Sequence, residues 1–472
     1  MTPPALPPVE SLTSQSPAWE SLSPLVEEYK KVYGELPDHV VRVPGRVNLI
    51  GEHIDYNGFN VLPMAIEKYI TVVLKGNQTG RLRLHNTASS RYSSYETELS
   101  AAVEIDSKTP SWHNYFLCGV KGVLEAHSCH GEEASRGLDA VVSGTVPPSA
   151  GLSSSSALVC AAALATCVVH KIELSKVELS ELCAKSERYI GTQGGGMDQA
   201  IAFLAQPGVA MMIDFNPIRT QPVQIPPGLS FVVAHTGVEM NKSASAHFNS
   251  RVVECQIAAK VLAKQKGLPW CGKLRLAQLL EDLEIPLEES PALVKQHLHK
   301  SPYTLEELCH LFQLNPQQFQ QLCLTPNTTH LTHFKLYQRA LHVYEEALRV
   351  QKFRAMCQEE SPSAEVMGQL MIDSHNSLQE LYECSHPELD LLVECAVKAG
   401  ALGSRLTGAG WGGCTVSLVP QDKVQEFMQT LESLYYSRSE HLQSVMATTV
   451  FSSLPGGGAT VYNLVPANNG SH

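Results

Sequence analysis

The chain has 472 residues, enough for two or three domains, and its 43% hydrophobic and 17% charged content is that of an ordinary soluble globular protein. Its formal net charge is −12, with acids and bases interspersed, which argues against a general nucleic-acid or anionic-membrane surface. Thirteen cysteines, an odd number with no Cys-x-x-Cys pair and several among apolar residues (Cys160, Cys167, Cys183, Cys395), read as free thiols of a reducing compartment, not a disulfide framework.

Residues 1–23 are polar and proline-rich and lack a basic start with an apolar run; they read as the flexible tail of a cytoplasmic protein, not as a signal peptide. Residues 467–472 read as a second tail. A short helix is predicted over 25–33, stopped by Gly34. Residues 40–44 and 70–74, rich in β-branched side chains between turn formers, are predicted strands. His127-Ser128-Cys129-His130 reads as an exposed turn, since no second cluster of metal ligands lies nearby in sequence. The longest apolar run, 157–169, is too short to span a bilayer. Ser175-Lys176-Val177-Glu178 is a capping box whose helix should run to about Tyr189. Gly194-Gly195-Gly196 then breaks the chain, and another helix starts near Met197.

Three prolines and Gly228 within 222–228 mark a domain junction. A strand at 231–234 and a helix over 246–263 follow. Short helices fill 265–330, with a second capping box at Thr304-Leu305-Glu306-Glu307. Further helices are expected over 334–350 and 364–381. A glycine-rich turn at 408–413 feeds a strand, Tyr435-Tyr436 packs on a helix, and Gly456-Gly457-Gly458 turns into a final strand at 459–464. Strands and helices mix without a regular βαβ rhythm, so the expected class is α+β. The expected domains cover 24–226 and 227–466.

Two segments carry chemistry. In Pro147-Pro148-Ser149-Ala150-Gly151-Leu152-Ser153-Ser154-Ser155-Ser156-Ala157, two prolines and a glycine shape a loop, and four hydroxyls stand where an alanine-rich helix begins. Free N–H groups and the helix dipole favour an anion there, and small side chains let it approach the backbone. A well-capped buried helix is the alternative. The segment has neither the lysine of the P-loop nor the dinucleotide Gly-x-Gly-x-x-Gly turn. In Gly45-Arg46-Val47-Asn48-Leu49-Ile50-Gly51-Glu52-His53-Ile54-Asp55-Tyr56, four ionisable side chains crowd between a strand and a loop. They can converge on a ligand with many hydroxyls, or form a solvated turn with internal salt bridges.

The second segment resembles the sugar-binding signature of galactokinases, and the serine loop resembles the phosphate motif of the wider GHMP kinase family. Residues 402–413, Leu-Gly-Ser-Arg-Leu-Thr-Gly-Ala-Gly-Trp-Gly-Gly, are similar to that family's third motif. The likeness covers about residues 36–466 and implies two α+β domains, with mixed sheets backed by helices and the active site between them. Within the family, Trp112-His113-Asn114-Tyr115-Phe116-Leu117-Cys118-Gly119, Lys185-Ser186-Glu187-Arg188-Tyr189-Ile190-Gly191-Thr192 and the helical insertion look like the branch acting on N-acetylgalactosamine.

The resemblance implies phosphoryl transfer from ATP, with Mg²⁺, to the anomeric O1 of N-acetylgalactosamine. A galactokinase proper and a non-catalytic galactokinase-like sensor are the alternatives. Asp198 matches the carboxylate facing the anomeric hydroxyl, and Arg46 the cation near that hydroxyl and the phosphoryl group. Glu52, His53 and Asp55 match residues binding sugar hydroxyls. Gly151, Ser153 and Ser154 match the triphosphate loop, Ser155 and Glu187 the magnesium ligands, and Asn241 and Lys242 a nucleotide-contacting pair. A monomer with sugar and ATP as its small-molecule partners is expected. An arginine and a helix N-terminus beside Asp198 favour its ionised form, so it would orient the hydroxyl and accept the proton late.

Overall fold

A computed structural model of the chain describes residues 6–106, 111–127, 136–239, 246–272 and 274–465. Strand β1 (Val9–Leu12) and helix α1 (Trp19–Tyr33) open the fold, followed by β2 (His39–Ile50), β3 (Leu62–Asn77), β4 (Arg81–Asn86) and β5 (Tyr95–Glu98). Helix α2 (Trp112–Ala126), β6 (Gly137–Gly144), α3 (Ser154–His170), α4 (Lys176–Ser186) and α5 (Met197–Leu204) come next. The hairpin β7 (Ala210–Asp214) and β8 (Arg219–Val223) precedes β9 (Leu229–His235) and α6 (Ala246–Gln265). Short helices α7 (Leu276–Leu283), α8 (Ser290–His297), α9 (Leu305–Phe312) and α10 (Pro316–Cys323) are interleaved with the strand pair β10 (Tyr303–Thr304) and β11 (His333–Phe334). The chain continues through α11 (Leu336–Cys357), α12 (Ala364–Ser377), α13 (Pro387–Lys398), β12 (Gly403–Thr407), β13 (Cys414–Pro420), α14 (Val424–Leu434), α15 (Glu440–Thr449), β14 (Phe451–Ser453) and β15 (Thr460–Leu464).

The first sheet has seven strands in the order β1-β15-β2-β3-β6-β4-β5, and the second has four, β12-β13-β9-β14. Strand alternation gives the first sheet two apolar faces. Val40, Val73 and Val141 pack under Leu22, Val26 and Tyr29 of α1, while Val41, Val72 and Val142 belong to the main core with α2 and α3. Helix α3 is buried on nearly every side. Its small residues admit α2 so closely that a Cβ on Gly119 would lie 2.3 Å from the Val159 carbonyl oxygen. The two sheets with their helices give the expected α+β architecture. The capping boxes at Ser175 and Thr304 both form as predicted.

Two expectations are corrected. The expected tail over 1–23 is structured from residue 9, because β1 pairs in parallel with β15 and α1 begins at Trp19, ahead of the helix expected from 25. Leu12 and Leu22 supply the apolar anchors that a composition-based reading overlooks. The boundary of the second domain also fails at its far end, since β15 pairs with β2 and returns the chain to the first sheet. The expected tail at 467–472 and residues 128–130 lie outside the described residues. Every described cysteine is free. No helix among the described residues is long and apolar enough to cross a membrane.

Candidate active site

The serine-rich loop folds as an unusual helix start, not as a well-capped one. Ser149, Gly151 and Ser153 have φ of 54°, 75° and 67°, and Ser153, the residue before α3, makes no side-chain cap bond. Its hydroxyl is buried with no hydrogen-bond partner among the described residues, a costly arrangement unless a ligand completes it. The glycine-rich turn of the second sheet presses against this loop, backbone on backbone. A Cβ on Gly151 would lie 2.7 Å from the Thr407 carbonyl oxygen, and one on Gly413 would lie 2.8 Å from that of Ala150. The glycines at these positions are what allow the two loops to meet.

Strand β2 reaches the same place from the other side. Its pairing with β3 shifts register between Pro44 and Arg46 and again between Asn48 and Ile50, and such bulges re-aim side chains. At the first shift, the Arg46 N–H donates to the Leu152 carbonyl at 3.1 Å. The Arg46 guanidinium meets Oδ1 of Asp198 through Nε at 3.0 Å and Nη2 at 2.9 Å, while Nη1 donates to the Gly151 carbonyl. Asp198 stands in the first turn of α5, and its Oδ2 accepts from the Ser156 hydroxyl at 3.3 Å. Ser156 also donates to Oε2 of Glu187 at 2.7 Å, and that oxygen accepts from the Gln199 amide as well. One serine therefore ties both carboxylates to α3.

Glu52, His53 and Asp55 follow on the turn after β2. Glu52 is 2% exposed. Its Oε2 pairs with Nη2 of Arg405 at 3.0 Å, and Oε1 accepts the Gly408 N–H at 3.0 Å. Burial pushes its carboxyl up to about 7, against the opposing pull of Arg405 and Arg46. His53 Nε2 lies 3.0 Å from the Ala409 carbonyl. A carbonyl only accepts, so Nε2 donates to it, and Nδ1 lies 2.8 Å from the Tyr56 hydroxyl. Tyr56 in turn lies 2.5 Å from the hydroxyl of Tyr382, which a π-helical turn over Leu378–Tyr382 brings inward. Asp55 Oδ2 faces the Met197 N–H at 3.4 Å, so the sugar-signature turn sits at the N-terminus of α5, where a carboxylate is favoured.

The loop, the turn and the two carboxylates border one cavity of about 370 Å³, with Ser156, Arg405 and Tyr382 behind its lining. Arg46, Glu52, His53, Asp55 and Asp198 line it together with Gly151, Ser153, Ser154, Ser155 and Glu187. Asn241 and Lys242 lie outside the described residues. Sequence reasoning missed Ser156, Arg405, Tyr56 and Tyr382. Ser156 stands within the quoted serine run, but helix phase is needed to tell which hydroxyl faces the carboxylates. Arg405, fully buried, lay unremarked inside the third motif.

Three family descriptions match the chain: the galactokinase galactose-binding signature over residues 27–75, the GHMP kinases N terminal domain over 114–206 and the GHMP kinases C terminal over 354–437. A galactokinase of Dictyostelium discoideum is 40% identical over 441 residues, covering 88% of this chain and 87% of its own length. That of Saccharomyces cerevisiae is 32% identical, covering 95% and 96%. The crystal structure of Lactococcus lactis galactokinase complexed with galactose superposes with a TM-score of 0.72 at 25% identity, over 93% of this chain and 99% of that one. A mevalonate kinase crystal structure at 19% identity and TM-score 0.52 shares the fold. With its three motifs gathered on one cavity between two sheets, this chain belongs to the GHMP kinase family and, within it, to the galactokinase subfamily of sugar kinases.

Proposed function

We propose that the protein transfers the γ-phosphoryl group of ATP to the anomeric O1 of galactose. The observation that carries this is the buried Arg46–Asp198 pair, which stands where the serine-rich helix start and the sugar-signature turn meet. Phosphoryl transfer needs alignment and neutralisation more than covalent help from the protein. The loop at 149–155 would take the triphosphate, with the orphaned Ser153 hydroxyl completed by a phosphate oxygen. Asp55, Glu52 and His53 would border the sugar, the carboxylate oxygens retaining acceptor capacity for its hydroxyls. Asp198, held by Arg46, orients O1 and takes its proton late, while Arg46 faces the charge that develops on the transferring group.

The donors present suit a hard cation: the Ser155 hydroxyl and the Glu187 carboxylate both line the cavity and offer oxygen. One or two protein oxygens beside substrate phosphates is how Mg²⁺ is commonly held, and bound there it would offset phosphate charge. The free buried thiols are consistent with a cytoplasmic enzyme.

The relatives' names favour galactose over the N-acetylgalactosamine expected from the sequence. One observation keeps the second reading in view. Trp112, Tyr115, Glu187 and Thr192, from the two segments resembling the N-acetylgalactosamine branch, all line the cavity. Comparing kcat/KM for the two sugars, with the phosphate position in the product established, decides between them. Binding of both ligands without transfer to either sugar would instead mark a sensor.

A further inference from the structure

Behind the turn that carries Glu52, His53 and Asp55 lies a buried polar layer that the proposed chemistry does not use. Helix α11 presents His342, Glu346 and Val350 at spacings of four, on one face. Glu346 Oε1 accepts the Gly51 N–H at 2.9 Å, the Glu52 N–H at 3.3 Å and the Ser374 hydroxyl at 2.7 Å. His342 Nε2 faces the Glu52 carbonyl at 3.2 Å and donates to it, while Nδ1 faces the Ser377 hydroxyl at 2.8 Å. Val350 closes the contact: a Cβ on Gly51 would lie 2.9 Å from its Cγ2. Two N–H groups and one carbonyl of a single turn are thus met by a helix 295 residues further along the chain.

Gly51 and His53 both have positive φ, 104° and 65°, so this turn borrows no regular secondary structure for its backbone bonds. Buried N–H groups in such a turn need a specific acceptor. Glu346 is fully buried and remains a strong acceptor. Burial alone would raise its carboxyl, but Arg349, whose Nε donates to Oε2 at 2.7 Å, and Arg405 overcome this and hold it at about 2.

We propose that Glu346, seconded by His342, is the positioning residue of the sugar turn: its reach to the N–H groups of Gly51 and Glu52 sets how Glu52, His53 and Asp55 face the cleft. The consequence for sugar binding rests on the reading above as a sugar kinase. The loops at 149–155 and 408–413 make no direct bond to Glu346, so sugar affinity depends on it more than nucleotide affinity does.

Two variants separate reach from charge. Glu346→Asp keeps the charge but withdraws the carboxylate by about 1.5 Å, one C–C bond. Glu346→Gln keeps the reach and one acceptor oxygen but loses the charge. Calorimetric Kd values for galactose, N-acetylgalactosamine and ATP, with hydrogen exchange at the amides of residues 51 and 52, test the proposal on the full chain. A misplacement of this size can cost about 10²-fold. Glu346→Asp should therefore weaken sugar binding by about tenfold or more, leave ATP binding within about twofold and speed exchange at both amides, with Glu346→Gln recovering most of the loss. Sugar and ATP affinity falling in step, an Asp variant that matches the wild type, or unchanged exchange at 51 and 52 would overturn it. Should Glu346→Asp not fold, His342→Phe removes the third bond and is read by the same constants. A wild type that binds neither hexose would defeat the sugar-kinase reading and still leave amide exchange to decide this one.

Discussion

Arg46 and Asp198, 152 positions apart, share one oxygen through two guanidinium nitrogens while both side chains are at most 10% exposed. A buried pair of this kind is costly to break, because removing one partner strands the other charge, an effect of about 3–5 kcal/mol. The carboxylate is fixed in orientation as well, since Asp198 Oδ1 is held by Arg46 and Oδ2 by Ser156.

Asp198→Asn preserves shape and removes charge. We expect a folded protein whose kcat falls by about 10²–10⁴-fold, the range for loss of a proton-accepting group, with ATP affinity within about twofold of wild type. Single-turnover kinetics and calorimetry check this. Undiminished turnover would take Asp198 out of the reaction.

Gly195→Ala probes the seam between the sugar turn and α5. A Cβ there would lie 2.3 Å from the Tyr56 nitrogen and 2.6 Å from Cγ of Asp55, closer than real contacts allow. The backbone must give, at a cost of about 1–3 kcal/mol, and Asp55 moves with it. The sugar KM should rise by about tenfold or more while the ATP KM changes little; urea denaturation and initial rates read the two effects.

Ser156→Ala deletes the donor common to Glu187 and Asp198. Hydrogen bonds to charged acceptors contribute about 1.5–3 kcal/mol, so stability should fall by about that much. The variant should also need more Mg²⁺ for half-maximal rate, because Glu187 loses one of its supports. An unchanged metal titration would separate Ser156 from the residues proposed to hold the metal.

Acid should loosen the region behind the sugar turn in a definite order. Burial pulls the His342 imidazole from 6.5 down to about 3, so the folded chain binds that proton less well than the unfolded one. Its stabilising contribution is full above about pH 6.5 and is lost as pH falls towards 3. Glu346, lowered from 4.5 to about 2, follows at lower pH. Glu52, raised from 4.5 to about 7, runs the other way: its contribution is full below about 4.5 and is lost as pH rises through 7. The unfolding free-energy difference between wild type and His342→Phe should therefore be largest above pH 6.5 and shrink steadily towards pH 4. A difference independent of pH would refute this order.

The elements most legible in the sequence were those whose signal is local. The capping boxes at Ser175 and Thr304, the αL stop at Gly34 and the β-branched runs of β2 and β3 depend on neighbours a few residues away. The site residues were legible as motifs, but their partners were not. Glu52 and His53 read as sugar ligands, yet Arg405, Gly408, Ala409 and Tyr56 already hold their polar atoms; for all but Tyr56, only the approach of a segment more than 350 residues away reveals that. Glu346 gave no signal at all. In Tyr344-Glu345-Glu346-Ala347 the two glutamates look alike, and helix phase alone sends the second into the core.

Strand β15 lies between β1 and β2 and is wedged there by both neighbours. Severing the polypeptide near 227 would therefore not liberate an autonomous front half. That fragment would lack its inserted strand and expose raw β-edges, which invite self-association. The two sheets are stitched together by β15, so the halves built on them should melt in a single cooperative transition.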